Sequence, residues 1–194
     1  EKFFSQTIPF LGSFREFTVE ANPESVNTMF LNVLKKYCAT RISIGAQSSN
    51  DETLKRLGRI HTFKDTVKAV ELIRKTIPDI ALNLDIMFDI PEVSTDEIKK
   101  SVEDILALEP EHVSAYSFTA ETEHFDYEER DESQFIMVKE MLAVAGYIKY
   151  EVSNFAKKGH QSEHNKVYWN LDDYTGIGAS AASCENLEGE RIFR

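Results

Sequence analysis

The sequence predicts an α/β fold in which parallel strands are flanked by helices. Three observations carry this. Strand-like and helix-like patterns alternate along the chain, at repeats of roughly 25–40 residues, the spacing of βα units with right-handed crossovers. The stretch 80–87 is a nearly continuous apolar run, as expected of a buried parallel strand. A polar residue also stands at the C-terminal end of strand after strand. Glu20 ends Phe17-Thr18-Val19-Glu20, and Gln47 follows Arg41-Ile42-Ser43-Ile44-Gly45. Asp85 ends Leu82-Asn83-Leu84-Asp85, and Thr119 ends Ser117-Phe118-Thr119. Strand interiors in such a fold are expected to be apolar, and the rim at the strand C-termini is where substrates bind. Four residues in register at the rim predict one shared site.

Each element has its own signal. A short helical stretch covers residues 1–10 and a strand follows at 15–20. Asn22-Pro23 suits an N-cap with proline at the first helical position, opening a helix over 24–37 with Met29, Phe30, Val33 and Leu34 on one face. A strand at 41–45 leads to a short helix at 51–57 and a longer one at 63–76, ended by Pro78. After the strand at 80–87, Ser94-Thr95-Asp96-Glu97 reads as a capping box for a helix over 95–107. A strand at 112–118, an acidic stretch over 121–132, a helix at 131–145 and a last, weaker strand at 147–153 complete the series. Closing a barrel takes about eight strands. Four strong strands and one weaker one therefore predict an open sheet or a piece of a partial barrel. From residue 154 the pattern fades into a polar segment containing aromatics.

Composition narrows the function. A net charge of −11 excludes a general nucleic-acid binder, which needs a basic footprint. No apolar run reaches the roughly 18 residues of a membrane span, and Glu1-Lys2-Phe3-Phe4-Ser5 has no secretory features, so the expected location is cytoplasmic. The two cysteines, Cys38 and Cys184, form no C-x-x-C pair. Cys38, at a helix end, is expected to be a small core residue. Two thiols fall short of the three or four that an iron–sulfur cluster takes.

The strand-end residues share a chemistry. Gly45 lets a ligand or another backbone approach closely. Gln47 offers both donor and acceptor, and Arg59 can grip a carboxylate with two hydrogen bonds. Glu20 and Asp85 accept hydrogen bonds from an ammonium group or from ribose hydroxyls. The set suits a zwitterionic, nucleoside-like ligand better than a phosphate. Taken singly, each of these residues also has an ordinary reading as a helix cap or ion-pair partner. Gly176-Ile177-Gly178-Ala179-Ser180-Ala181 matches G-x-G-x-x-A but follows no apolar strand, so it reads as a turn glycine pair near the shared site rather than a dinucleotide fingerprint.

The runs Val19-Glu20-Ala21-Asn22-Pro23, Ser43-Ile44-Gly45-Ala46-Gln47-Ser48 and Leu57-Gly58-Arg59-Ile60-His61-Thr62 carry a family resemblance. So do Asn83-Leu84-Asp85-Ile86, His112-Val113-Ser114-Ala115-Tyr116-Ser117 and Tyr150-Glu151-Val152-Ser153-Asn154-Phe155-Ala156. They resemble the radical S-adenosylmethionine proteins related to oxygen-independent coproporphyrinogen III oxidase. His164-Asn165-Lys166-Val167-Tyr168-Trp169 looks like the H-N-x-x-Y-W motif of the HemW-type heme chaperones within that family. The resemblance implies an incomplete (β/α)6 partial barrel over 1–153 and a post-barrel segment over 154–194, leading towards a C-terminal domain beyond it. It implies S-adenosylmethionine contacts at Glu20, Gln47, Arg59, Asp85 and Thr119, and a [4Fe–4S] cluster. It also implies heme or a porphyrin as cargo near His160, His164, Asn165, Tyr168 and Trp169, and a heme-acceptor protein as partner. Either histidine is a candidate axial ligand, although an isolated surface histidine is ordinarily only that.

There are departures from the family pattern. The family's C-x-x-x-C-x-x-C segment aligns upstream of Glu1, so this span is expected to be the middle of such a protein and only marginally stable alone, with unpaired strand edges. Phe88-Asp89-Ile90-Pro91 stands where the family usually has Tyr-Gly-Leu-Pro. An alanine stands within 179–183 where it usually has histidine, and the loop after Thr119 looks short. Three readings follow: a heme chaperone, a coproporphyrinogen III oxidase performing oxidative decarboxylation, and a binding module without a cluster. Oligomeric state has no signature in the sequence.

Overall fold

In the computed structural model, the described residues are 2–11, 14–119, 132–187 and 190–194. They divide into two compact units, Glu1–Gln161 and Ser162–Arg194. No helix among them is long and apolar enough to cross a membrane. Most of the acidic stretch at 121–132 lies outside the described residues.

The first unit is built on a six-stranded sheet. Its elements are α1 (Lys2–Leu11), β1 (Thr18–Ala21), a 3-10 turn (Pro23–Ser25), α2 (Thr28–Lys36), β2 (Arg41–Gln47), α3 (Asp51–Arg56) and α4 (Phe63–Thr76). There follow β3 (Ala81–Phe88), α5 (Thr95–Leu106), β4 (His112–Ser117), α6 (Glu132–Val144), β5 (Ile148–Lys149) and β6 (Asn154–Ala156). The strand order is β1-β2-β3-β4-β6-β5. β1 to β4 are parallel; of the predicted strand at 147–153 only the two-residue β5 forms, and β6 lies just beyond it, where no strand is predicted, antiparallel to both β4 and β5.

The expectation of apolar strand interiors fails on one face. Because successive side chains point to opposite sides of a strand, Ile42, Ile44, Leu82, Leu84, Ile86, Val113 and Phe155 share one face, all essentially closed to solvent. They form one core with Leu31, Leu34, Val70, Ile73, Ile98, Val102, Ile105, Val138 and Leu142 from α2, α4, α5 and α6. Each such side chain contributes about 1.5–3 kcal/mol through burial. Most of the alternate positions are polar (Thr18, Glu20, Arg41, Ser43, Gln47, Asn83, Asp85, His112, Ser114 and Asn154), although Met87 still packs against the core.

Local chemistry explains where the helices begin. The predicted helix 24–37 is broken. Pro23 opens only a 3-10 turn, and Asn27 caps α2, accepting from the Phe30 amide at 2.9 Å. The buried face of α2 therefore carries Leu31 and Leu34, while Met29 is exposed. Thr62 and Asp65 make a full capping box on α4. At α5 only half of the expected box forms: Ser94 accepts from the Glu97 amide at 3.3 Å, whereas the Glu97 carboxylate takes the Thr53 hydroxyl. Cys38 is not a core residue. It is exposed, in the left-handed region at φ 56, where α2 ends with Cys38 N–H on Lys35 O and Ala39 N–H on Leu34 O, the hydrogen-bond pattern of a Schellman cap.

A charged clamp joins α4 to the starts of β3 and β4. Arg74 Nη2 lies 3.0 Å from both Glu111 carboxylate oxygens, and Glu111 Oε2 accepts from the Leu82 amide at 2.8 Å. Glu111→Ala leaves the Leu82 amide without its acceptor, while Arg74 keeps the Ile80 and Glu109 carbonyls, so it should cost about 1–2 kcal/mol, measurable as a lowered urea midpoint with an unchanged slope.

The second unit is small. Ser162 caps α7 (Glu163–Trp169), accepting from the Asn165 amide at 3.2 Å. β7 (Cys184–Leu187) and β8 (Glu190–Phe193) form an antiparallel hairpin. The Tyr174–Cys184 backbone bridge closes the intervening loop onto the hairpin, and the Tyr168 and Tyr174 rings meet at 4.4 Å.

Candidate functional site

The polar face of the sheet is a set of registered pairs. Thr18 lies opposite Arg41, Glu20 opposite Ser43, and Ser43 opposite Asn83. Asn83 lies opposite His112, Asp85 opposite Ser114, and Ser114 opposite Asn154. Arg41, Ser43, Asn83, His112, Ser114 and Asn154 are all buried. The sequence reading placed Asp85 at a strand end, but β3 continues to Phe88. Asp85 is an interior residue of a polar strand face. Sequence reasoning also passed over Ser43, Asn83, His112 and Ser114, although the alternation in Arg41-x-Ser43-x-Gly45-x-Gln47 and His112-x-Ser114-x-Tyr116 was the signal for them.

These groups form a closed hydrogen-bond network. Asn83 Nδ2 donates to Asp85 Oδ1 and to Ser43 Oγ, each at 2.7 Å. Asn83 Oδ1 accepts from Ser114 Oγ at 3.1 Å and from His112 Nδ1 at 2.5 Å. His112 Nε2 lies 2.8 Å from the Tyr150 hydroxyl. Burial, with Arg41 and His160 adding to it, holds the imidazole down at about 3, so it is neutral. Its Nδ1 faces a pure acceptor and must carry the hydrogen, and Nε2 therefore accepts from Tyr150. Burial pushes the Asp85 carboxyl up to about 6 and the Glu20 carboxylate adds to this, against the hydrogen bonds from Asn83, Ser114 and Ser43. A cation beside the two carboxylates would restore the ionised form.

Gln47 ends β2 in a strained conformation. Its φ is 65, and Ser48 N–H donates to Ala46 O at 2.8 Å across it, the hydrogen bond of a left-handed γ-turn. Such strain persists only where the surroundings impose it, and Ser101 Oγ does so here, accepting from Ser49 N–H at 3.1 Å and contacting Ser48 Oγ at 3.2 Å. The turn brings Gln47 Nε2 back over Gly45, 3.0 Å from where a Cβ would stand, with Asn22 Oδ1 at 3.6 Å. Gly45→Ala would therefore push aside a flexible amide rather than backbone. Its stability should stay within about 1 kcal/mol of the parent, since alanine suits a strand better than glycine, while affinity for a ligand gripped by Gln47 falls about tenfold for one lost hydrogen bond. Parallel melts and ligand titrations check both halves.

Arg59 follows a capped helix end. Gly58 takes φ 70, and Arg59 N–H reaches Leu54 O at 2.9 Å. Arg59 Nη1 donates to Asn22 Oδ1 at 3.3 Å. Buried His61 lies between Glu24 Oε2 at 3.3 Å and Ala46 O at 3.5 Å, tying this loop to the end of β2. Glu20, Gln47, Arg59 and Asp85 are thus gathered around the C-terminal halves of β1 to β3. Thr119 is exposed and lies two residues beyond the end of β4, rather than within it. Asp89, where the family resemblance leads one to expect glycine, has φ 54. Aspartate tolerates this region, and its carboxylate accepts from Ser117 Oγ at 2.9 Å.

The candidate heme residues fall in different units. His160 belongs to the first, where its backbone carbonyl accepts from Arg41 Nη2 at 2.9 Å. His164, Asn165, Tyr168 and Trp169 lie on α7 of the second, where the His164 and Tyr168 rings meet edge to face at 4.8 Å and Trp169 is 55% exposed. Among the described residues no three His, Cys, Asp or Glu side chains converge as a metal site. Cys38 is exposed at the cap of α2, and Cys184 is buried against Arg191. These residues do not fit an iron–sulfur cluster, whereas Glu20, Asp85, Gln47 and Arg59 carry the acceptor and donor chemistry that a zwitterionic ligand takes.

The sequence profile of the radical SAM superfamily matches residues 5–105. The chain belongs to the radical SAM superfamily. It is 34% identical to the heme chaperone HemW of Bacillus subtilis over 178 residues, 86% of this chain and 47% of that protein. With the heme chaperone HemW of Escherichia coli it shares 35% over 188 residues, 92% of this chain and 49% of that one. The chain thus spans about half the length of these curated relatives. In structure it resembles the coproporphyrinogen III oxidase HemN of Escherichia coli, with a TM-score of 0.68 at 18% identity, over 87% of this chain and 44% of that one. That likeness concerns the fold: a central parallel sheet with flanking helices, of the radical SAM type. Radical SAM proteins in general work with S-adenosylmethionine and a [4Fe–4S] cluster, which carry the hard chemistry while the protein binds and orients.

Proposed function

We propose that this chain is the S-adenosylmethionine-holding core of a cytoplasmic, HemW-type heme chaperone, which binds heme and passes it to an acceptor protein. The observation that carries the reading is the 34–35% identity to HemW proteins over 86–92% of the chain. Arg59 would grip the ligand carboxylate and Gln47 would bond it as donor and acceptor. Glu20 and Asp85 would accept from its ammonium group or ribose hydroxyls, with Thr119 at the rim. The cluster's thiolates would come from residues outside these 194. S-Adenosylmethionine would supply its reactive sulfonium group, and the residues described here would hold and orient it.

Heme would be cargo. Tyr168 and Trp169 expose ring surface on α7, suited to the flat face of a macrocycle, and His164 or His160 would provide an axial nitrogen. The test is heme titration of the purified full-length protein under anaerobic, reducing conditions, followed in the Soret region. Saturable binding, weakened in His164→Ala or His160→Ala, and transfer of heme to an apo-acceptor are expected. No heme binding would overturn the reading. Accumulation of decarboxylated porphyrinogen from coproporphyrinogen would replace it with the oxidase.

A further inference from the structure

From the geometry we infer that His112 and Tyr150 are positioning residues for the Asp85 carboxylate, acting through the Asn83 amide. The inference rests on the proposed role of Asp85 as an acceptor for S-adenosylmethionine. It adds two residues that never reach the rim, one of them outside β1 to β4, in the turn between β5 and β6 where Tyr150 N–H donates to Asn154 O at 3.2 Å.

An amide side chain can sit either way round, and Asn83 has four partners that decide. In the observed orientation its NH2 faces Ser43 and Asp85, and its oxygen faces Ser114 and His112. The two hydroxyls can serve as donor or acceptor and do not discriminate. His112 and Asp85 do. As long as Nδ1 carries the hydrogen, the Asn83 oxygen belongs at His112 and the NH2 at Asp85. Tyr150 selects that tautomer by donating to Nε2. The tyrosine hydroxyl thus fixes the imidazole, the imidazole fixes the amide, and the amide gives Asp85 a donor that favours the ionised carboxylate. With the amide reversed, two acceptors would meet at 2.7 Å, and only a protonated Asp85 could occupy the site.

Other charges surround the pair. Glu20 of β1 and Tyr116 of β4 face Asp85, with Glu151 near Tyr116. Arg41 of β2, Glu16 ahead of β1 and His160 after β6 act on His112. None of these bonds the Asn83 amide, so none substitutes for the His112–Tyr150 arm.

The test follows the Asp85 carboxyl directly, by carbon NMR titration of the purified full-length protein labelled at aspartate side chains. Asp85→Asn assigns the signal, and S-adenosylmethionine affinity is measured across the same pH range. His112→Phe and Tyr150→Phe are expected to move the Asp85 midpoint upward by half a pH unit or more. The pH at which S-adenosylmethionine binding is half lost should move with it. His112→Asn places an N–H where Nδ1 stood and should restore the parent midpoint; thermal melts identify any variant that fails to fold. A merely structural role would lower all the melts and leave the midpoint in place. Equal midpoints in the parent, His112→Phe and Tyr150→Phe would overturn the inference. If the parent binds no S-adenosylmethionine at any pH, the ligand assignment falls, while the carboxyl titration still decides whether His112 and Tyr150 position Asp85.

Discussion

Asp85→Asn is expected to bind S-adenosylmethionine about 10- to 100-fold more weakly, the worth of one charge-assisted hydrogen bond, and yet to be more stable than the parent at pH 7. Both effects share one cause. The carboxyl is pushed up from 3.8 to about 6 in the fold, so the folded state holds its proton more tightly than the unfolded chain does. Between those values stability falls as pH rises, and above about pH 6 the full penalty of a half-buried, ionised carboxylate is present. Asparagine keeps the acceptor for Asn83 Nδ2 and carries no charge. It should therefore gain about 1–2 kcal/mol at pH 7, discounted for partial exposure, and little at pH 4. Denaturant melts at the two pH values, set beside ligand titrations, check both. His112 has the opposite slope. Held down at about 3, it loses stability as pH falls below 6.5, because the unfolded histidine gains a proton that the buried one refuses. Between pH 4 and 6 the two partly cancel in the parent, and Asp85→Asn should uncover the acid-destabilising slope of His112.

Gly176→Ala is expected to unfold the second unit while leaving the first intact. A Cβ on Gly176 would stand 2.3 Å from the Ala182 carbonyl oxygen and 2.8 Å from its carbon and nitrogen. These are backbone atoms and cannot rotate away. Relief requires moving the strand-like segments apart, which also breaks the Gly176 N–H to Ser183 Oγ bond at 2.9 Å and pulls on the Tyr174–Cys184 bridge. Overpacking of this kind costs about 1–3 kcal/mol, a large share of what a unit of this size can hold. Limited proteolysis should cut the variant between residues 170 and 183 and spare the parent. Heme binding should fall with it, while the urea midpoint of the first unit stays unchanged.

Much of the fold was legible because the helices are amphipathic and the apolar strand face is consistent. The predicted spans 63–76 and 95–107 match α4 and, within a residue, α5. Legibility failed where a single residue did two jobs. Asn22-Pro23 looks like a helix start, yet Asn22 serves Arg59 and the helix waits for Asn27. Glu97 looks like the return arm of a capping box, yet Thr53 claims it across 44 residues. Of the site, the charged groups stood out by type, whereas Ser43, Asn83 and Ser114 did not, since short polar residues read as turn formers. Only the register of neighbouring strands turns them into one network. Nothing local announces the left-handed backbone of Gln47 or Asp89, because both residues carry side chains in a region that usually signals itself through glycine.

The most direct measurement is amide hydrogen exchange of the full-length protein with and without S-adenosylmethionine, read peptide by peptide. If the polar face of β1 to β4 holds the ligand, exchange should slow at the end of β2 and the segment through Arg59, and around Asp85 to Asp89, with 170–183 unchanged. Saturable binding that slows exchange only in the second unit, or in neither of those two segments, would contradict the account.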